Sequence, residues 1–286
     1  MSLKRICFTK MHGAGNDYIY IDISKYPIAH PEDVARRWSL PHTGIGSDGL
    51  ILVGPSDKAD FFMHMYNKDG SEGIMCGNGI RCVGKFVYDH SLTNRKDIKV
   101  ETLGGIKHLQ LQTNAENKVQ SVTVDMGAPI LQDRKLLANT TGELLAGKIQ
   151  CGNKEYEGTF VSMGNPHFVI FVEDIQQIDL AYEGAELENH PLFPQKCNIE
   201  FAEIRPGNII RTRVWERGSG ITQACGTGAC ATLVAAKLNN KCPGIGTIAM
   251  DGGNLEIEWR EKDNHIYMTG PATTVFEGEI EIEQTI

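Results

Sequence analysis

A chain of 286 residues with 41% apolar and 22% charged side chains has the make-up of a folded globular protein and is long enough for two domains. Its formal charge of −8, with Lys and Arg scattered, excludes the clustered basic surface that nucleic acid requires, and no apolar run is long enough to span a membrane. The start, Met1-Ser-Leu-Lys-Arg-Ile-Cys-Phe, lacks the apolar core of a signal peptide, so a cytoplasmic protein with eight free thiols is expected.

Alternating and apolar runs predict strands near 4–10 and 18–23, a helix near 31–38, strands near 50–53 and 60–67, and a helix near 77–89. Three half-buried antiparallel strands follow in Ile98-Lys-Val-Glu-Thr, His108-Leu-Gln-Leu-Gln and Val119-Gln-Ser-Val-Thr-Val. The same order then returns. Strands are expected near 157–163 and 168–173, a helix near 178–189, strands near 198–204 and 208–216, a helix near 226–238, and three more strands ending around His265-Ile-Tyr-Met. Gly127 to Gly152, broken by Gly-Ala-Pro and Asn-Thr-Thr-Gly and with little periodicity, reads as the join between two copies. The expected domains are therefore 1–125 and 126–274. The alternating tail 275–286 lies beyond the second copy and is expected to return to the first domain's sheet.

A fixed offset of 149 residues relates the copies, pairing Asn16 with Asn165, Asn67 with Glu216 and Cys76 with Cys225. Each of these cysteines stands directly before a glycine-rich turn and a helix: Cys76-Gly-Asn-Gly-Ile-Arg-Cys-Val and Cys225-Gly-Thr-Gly-Ala-Cys-Ala-Thr. At a helix N-terminus the unpaired N–H groups and the positive dipole end favour a thiolate and can also hold a carboxylate, which approaches closely over glycine. A single Cys-Gly-x-Gly reads most simply as a buried structural thiol beside a turn. Two copies of it instead suggest a thiol on each wall of a cleft, able to remove a proton from one side of a carbon and return it to the other. Cys82 and Cys230 fall inside their helices and read as core. The close pairs Cys76/Cys82 and Cys225/Cys230 are not read as a zinc site, and no metal is expected.

Taking the α-proton of an amino acid creates a poorly stabilised anion, for which pyridoxal phosphate is a frequent electron sink. No pattern for that cofactor, or for any other, is found. Gly44-Ile-Gly-Ser-Asp-Gly matches G-x-G-x-x-G but follows a predicted helix and precedes a strand, the reverse of dinucleotide-binding order. Preorganised N–H donors and two thiols of opposite protonation would have to do the chemistry alone.

Through Met11-His-Gly-Ala-Gly-Asn-Asp, Tyr66-Asn-Lys-Asp-Gly-Ser-Glu, Met75-Cys-Gly-Asn-Gly-Ile-Arg-Cys, Met163-Gly-Asn-Pro-His, Trp215-Glu-Arg-Gly and Ala224-Cys-Gly-Thr-Gly, the sequence resembles the diaminopimelate epimerases. These are cofactor-independent enzymes of lysine and cell-wall precursor biosynthesis. The resemblance implies an α+β fold of two pseudo-symmetric domains, each a curved, mostly antiparallel sheet around a central helix, and usually a homodimer. It implies that Cys76 and Cys225 are the two bases, assisted by His167 and Glu216, and that Gly77, Asn78, Gly226 and Thr227 hold the reacting carboxylate. Asn16 would line the pocket, and Asn67, Asn165, Asn198, Arg217 and the main chain of Glu216 would meet the remote amino-acid end. Gly49 stands where some family members carry a glutamine. A racemase of proline, hydroxyproline or histidine is the alternative within the class, and a thiol redox or metabolite-binding protein the alternative outside it. Simple structural roles also exist: a carbonyl-capping His167, a Glu216–Arg217 ion pair, an exposed turn at Arg217.

Overall fold

The structure, a computed structural model, describes residues 3–283. In chain order its elements are β1 (Leu3–Gly13), β2 (Asn16–Asp22), α1 (Pro31–Trp38), β3 (Gly49–Gly54), β4 (Phe61–Asn67), β5 (Glu72–Gly73), α2 (Gly77–Asp89), β6 (Asp97–Thr102), β7 (Gly105–Thr113) and β8 (Val119–Gly127). They continue as β9 (Gly147–Cys151), β10 (Lys154–Ser162), β11 (Pro166–Phe171), α3 (Leu180–Glu188), β12 (Asn198–Arg205), β13 (Ile209–Glu216), β14 (Gly220–Thr222), α4 (Gly226–Leu238), β15 (Ile245–Met250), β16 (Gly253–Trp259), β17 (Ile266–Pro271) and β18 (Thr273–Glu283). The class is α+β. Two compact units result: one runs up to Val124 and resumes at Gly270, and the other is Asp125–Thr269.

In the first unit the strands lie in the order β18-β1-β2-β3-β4-β6-β7-β8. The second has the order β9-β10-β11-β12-β13-β15-β16-β17. Most neighbours are antiparallel. The parallel pairs are β2–β3, β4–β6, β11–β12 and β13–β15, and each is joined through a helix. That follows from geometry, since parallel strands need a long crossover whereas antiparallel ones can be joined by a tight turn.

The offset of 149 persists in three dimensions. Helices α2 and α4 are related by it end to end, and Leu50↔Tyr66 in the β3–β4 ladder matches Ile199↔Trp215 in β12–β13.

Helices α2 and α4 are buried almost all round; α4 is apolar on nearly every side, whereas α2 also encloses Asn78 and Arg81. In α2, a Cβ added to Gly79 would lie 2.8 Å from Ile51 Cδ1, and one on Gly84 would lie 2.8 Å from Leu111 Cδ2. Strands thus press on the helix from β3 and from β7, and glycine permits that approach. Burying Ile80, Val83, Phe86 and Val87 here contributes roughly 1.5–3 kcal/mol each. Helix α1 instead presents one face, Val34, Ala35 and Trp38, to Ile6, Phe8, Ile19, Ile21, Leu50 and Leu52. In the second unit α3 sets Leu180 and Leu187 against Phe160, Phe168, Ile199 and Phe201.

One stretch differs from the sequence reading. Gly127–Gly152, expected to be a join without regular structure, contains β9, which pairs with β10 across Gly152-Asn153. Gly152 has φ +57, the left-handed conformation such a turn uses, and Gly-Asn after a short alternating run was the available signal. The tail strand β18 runs antiparallel to β1, with Ile6 opposite Ile280. Positions 284–286 of the expected tail strand lie outside the described residues. Among those described, no helix is long and apolar enough to cross a membrane.

Gly184 of α3 sits against Trp215, the residue before Glu216: a Cβ there would be 2.5 Å from Trp215 Cβ and 2.7 Å from its Cγ. Replacing a helical glycine by alanine ordinarily gains about 1 kcal/mol, but forcing a methyl into a filled site costs about 1–3 kcal/mol. Gly184→Ala is expected to lower the thermal midpoint by roughly 2–6 °C, measured by calorimetry.

Candidate active site

Cys76 and Cys225 are the N-cap residues of α2 and α4. Both backbones are extended, with φ −127, ψ 120 at Cys76 and φ −123, ψ 113 at Cys225, and each sulfur accepts the N–H three residues on: Gly79 at 3.3 Å and Gly228 at 3.4 Å. Oxygen-bearing Ser, Thr, Asp or Asn normally fills this position, because sulfur is a weak acceptor when neutral. A thiol there gives up some cap strength and gains reactivity. Cys225 is buried and Cys76 half-buried.

Beside Cys76 an amide meets the sulfur, with a carboxylate one step behind. The thiol donates to Asn16 Oδ1 at 3.1 Å, and Asn16 Nδ2 donates to Asp48 Oδ2 at 2.8 Å. Tyr18 is buried, and that burial, then the neighbouring Cys76, keeps its hydroxyl protonated. Gly77 and Asn78 form the first turn of α2. Asn78 Oδ1 accepts from Arg81 Nη2 at 2.9 Å, Gly77 O accepts from Arg81 Nη1 at 3.1 Å, and Arg81 itself is wholly buried. Asn67 ends β4 and donates its amide to Ser71 Oγ at 3.0 Å. Gly49 lies opposite Asn67 in the ladder, and a Cβ there would collide with Tyr66 O and come 3.0 Å from Tyr18 Cε1. This backbone leaves no room for a side chain at position 49.

Around Cys225 the surroundings are charged. Glu216 ends β13, accepts from Thr222 Oγ1, and interacts with the Cys225 thiol; burial raises its carboxyl above the usual range. His167 on β11 is wholly buried, with Nδ1 2.7 Å from Glu200 Oε1 and Nε2 3.1 Å from Asn165 Oδ1. Asn165 Nδ2 reaches Thr227 Oγ1 at 3.3 Å, and Thr227 Oγ1 is 3.5 Å from Cys225 Sγ. Gly226 and Thr227 open α4. These contacts overturn part of the sequence reading. Both thiols were expected to be lowered by their helix N-termini, yet burial first, then Glu216 and Glu200, push the Cys225 thiol well above its ordinary value; Thr227 and the Gly228 N–H oppose this less strongly.

Arg217 is exposed, and its role rests on the turn that carries it. Its backbone N–H donates to Asn198 Oδ1 at 2.9 Å, its Nη1 to Gln195 O at 2.9 Å, and Asn198 Nδ2 donates to Pro166 O at 2.7 Å. Asn198 thereby ties the Arg217 turn to the start of β11. Glu188, at the end of α3, holds the same turn from both sides, accepting Trp215 Nε1 at 2.7 Å and Gly218 N–H at 3.1 Å.

Of the residues expected at the site, Asn16, Cys76, Gly77 and Asn78 meet within the first unit, and Asn165, His167, Asn198, Glu216, Arg217, Cys225, Gly226 and Thr227 within the second. Sequence reasoning missed Arg81, Glu188 and Glu200. A charged residue in an otherwise apolar helix or strand was the one signal available for Arg81 and Glu200. Because Glu216 is the charge that raises the Cys225 thiol most, Glu216→Gln is expected to move its ionisation to lower pH. Peptide-resolved alkylation with iodoacetamide across pH 6–10 measures this, and an unchanged profile at Cys225 rejects that electrostatic account.

Comparison with known proteins follows the same two segments. The family model described as diaminopimelate epimerase matches residues 8–132 and 159–275. A diaminopimelate epimerase of Phocaeicola vulgatus is 58% identical over 277 residues, covering 97% of this chain and 99% of that protein; one of Bacteroides thetaiotaomicron is 56% identical over 278 residues, covering 97% and 98%. The fold is shared more widely: the crystal structure of a hydroxyproline epimerase from Agrobacterium vitis superposes with TM-score 0.70 at 14% identity, covering 97% of this chain and 93% of that one. With two helix-capping cysteines in matching frames and this similarity over nearly its whole length, the chain belongs to the diaminopimelate epimerase family.

Proposed function

We propose that the protein interconverts LL- and meso-diaminopimelate by a two-base reaction in which Cys76 and Cys225 serve as the acid and base. The observation that carries this is the placement of a thiol, in both copies of one fold, at the N-cap of a buried helix that opens on a glycine. Inversion requires removal of the α-proton from one face and delivery to the other, so one sulfur must be a thiolate while the other keeps its proton. The unequal surroundings favour that division. Burial and two carboxylates hold Cys225 as the thiol, so Cys76, which donates to Asn16 Oδ1 while protonated, is the sulfur that would give up its proton to become the base.

The α-carboxylate would lie against the N–H groups of Gly77, Asn78, Gly226 and Thr227, where developing negative charge meets fixed donors in a site with little water. Glu216 and His167 assist proton movement at the thiols. Asn16 lines the pocket, and Asn67, Asn165, Asn198 and Arg217 recognise the distal ammonium and carboxylate, for which a guanidinium gives paired hydrogen bonds. The two units are read as copies of one duplicated fold. A cytoplasmic homodimer needing no cofactor completes the proposal; light scattering coupled to size exclusion tests the assembly.

The deciding experiment is solvent deuterium incorporation at the α-carbon of LL-diaminopimelate under reducing conditions without added cofactor. Cys76→Ser and Cys225→Ser are each expected to lower epimerisation by about 10²–10⁴-fold. Serine is the better N-cap, so thermal stability should be equal or higher, by up to about 1 kcal/mol. Near-native turnover in either variant would sink the two-base reading. Arg217→Ala should raise KM far more than it lowers kcat, with kcat/KM for diaminopimelate falling about 10- to 100-fold. Unchanged kinetics would favour a racemase of a smaller amino acid.

A further inference from the structure

Behind Cys225 lies a carboxylate that the fold itself does not require. Glu200 is wholly buried in β12, and its Oε2 has no hydrogen-bond partner among the described residues. Burying such a pair with His167 is costly, and apolar residues of similar volume are often as stable or more so. The other copy demonstrates that alternative directly. At the offset of 149, Glu200 corresponds to Ile51, His167 to Tyr18 and Gly228 to Gly79, and Ile51 is likewise wholly buried on the strand beside its helix. The same place in the same topology accepts an apolar side chain, so packing alone does not explain the carboxylate.

Its position explains it better. Glu200 lies next to the first turn of α4: a Cβ on Gly228 would fall 2.5 Å from Glu200 Oε1 and 3.3 Å from Cys225 Sγ. A carboxylate only accepts, so the nitrogen 2.7 Å from Oε1 carries the hydrogen. We propose that Glu200 is a positioning residue that keeps the hydrogen on His167 Nδ1; the Asn165 amide, turned so that its N–H faces the ring and its oxygen accepts from the Thr227 hydroxyl, then leaves Nε2 as the nitrogen that takes up and returns protons on that side of the site. Uptake at Nε2 makes an imidazolium whose charge Glu200 balances, and release restores the neutral ring, so no other reactant is consumed. The same carboxylate joins Glu216, from β13, in holding the Cys225 thiol protonated, with the Thr227 hydroxyl and Gly228 N–H from α4 acting the other way, while His167 from β11 acts on the Glu216 carboxyl.

This inference rests on the epimerase reading but is tested apart from it, using Glu200→Gln, which keeps the shape and removes the charge. The amide can offer either oxygen or N–H to His167, so the ring is no longer held in one form. Imidazole nitrogen NMR of the labelled full chain, with His167 assigned by loss of its signals in His167→Gln, should show a single Nδ1–H tautomer in the native protein and a mixture in Glu200→Gln. Peptide-resolved alkylation should place Cys225 ionisation at lower pH in the variant, and kcat/KM should fall about 10- to 100-fold while the thermal midpoint holds. An Nε2–H tautomer in the native protein overturns the proposal. So does a loss of activity in Glu200→Gln with tautomer and alkylation profile unchanged, which would leave Glu200 a packing residue. Neither spectroscopic readout depends on turnover, so native protein that fails to epimerise diaminopimelate would reject the functional reading without deciding this one.

Discussion

The arrangement depends on a weak hydrogen bond made twice: a backbone N–H donated to a cysteine sulfur at the first turn of a buried helix. Any oxygen-bearing cap would hold these helices better. Sulfur can exchange a proton with carbon near neutral pH, and the same turn presents the N–H groups an anionic substrate needs. Glycine at the third helical position keeps the close approach open in both copies, to Ile51 and Met63 in one and to Glu200 in the other. Fold and chemistry meet in that turn, which is why helices α2 and α4 are enclosed by strands while α1 and α3 cover a single face.

A duplicated fold gives two similar thiols, yet the proposed two-base inversion needs two different ones. The difference is set one layer behind the sulfur. The first unit places Asn16, a neutral Tyr18 and an Ile51 there, with Asp48 behind Asn16 and the wholly buried guanidinium of Arg81 holding the helix turn from beneath; the second places Glu216, Glu200 and His167. Helix dipoles act alike on both and so cannot distinguish them. Burial and nearby carboxylates can, and at Cys225 they outweigh the helix N-terminus.

The turn that carries Glu216 and Arg217 shows how a site on a loop is kept rigid. Glu188 grips it at Trp215 and Gly218, Asn198 at the Arg217 N–H, and Gly184 lets Trp215 pack directly on α3. Asn198 was expected among the groups meeting substrate, and its side chain also binds the backbone on both sides of the site. Much of this hydrogen bonding is thus scaffold for the turn that carries one exposed arginine.

Local signals carried what the sequence alone determined. Strand and helix order, the Cys-Gly turns, the 149-residue offset and the family resemblance all depend on neighbours along the chain or on repetition, and these are written in the residues. The strand β9 escaped because five residues in a stretch poor in periodicity signal little until a partner strand is present. Arg81, Glu188 and Glu200 escaped because their meaning lies in what faces them after folding: Glu200 is 33 positions from His167 and 25 from Cys225 in the chain. Tertiary structure alone decided that Cys225 sits against Glu216 and Glu200, because proton affinity in a protein interior is set by desolvation and by charges that only the folded chain brings within a few ångströms.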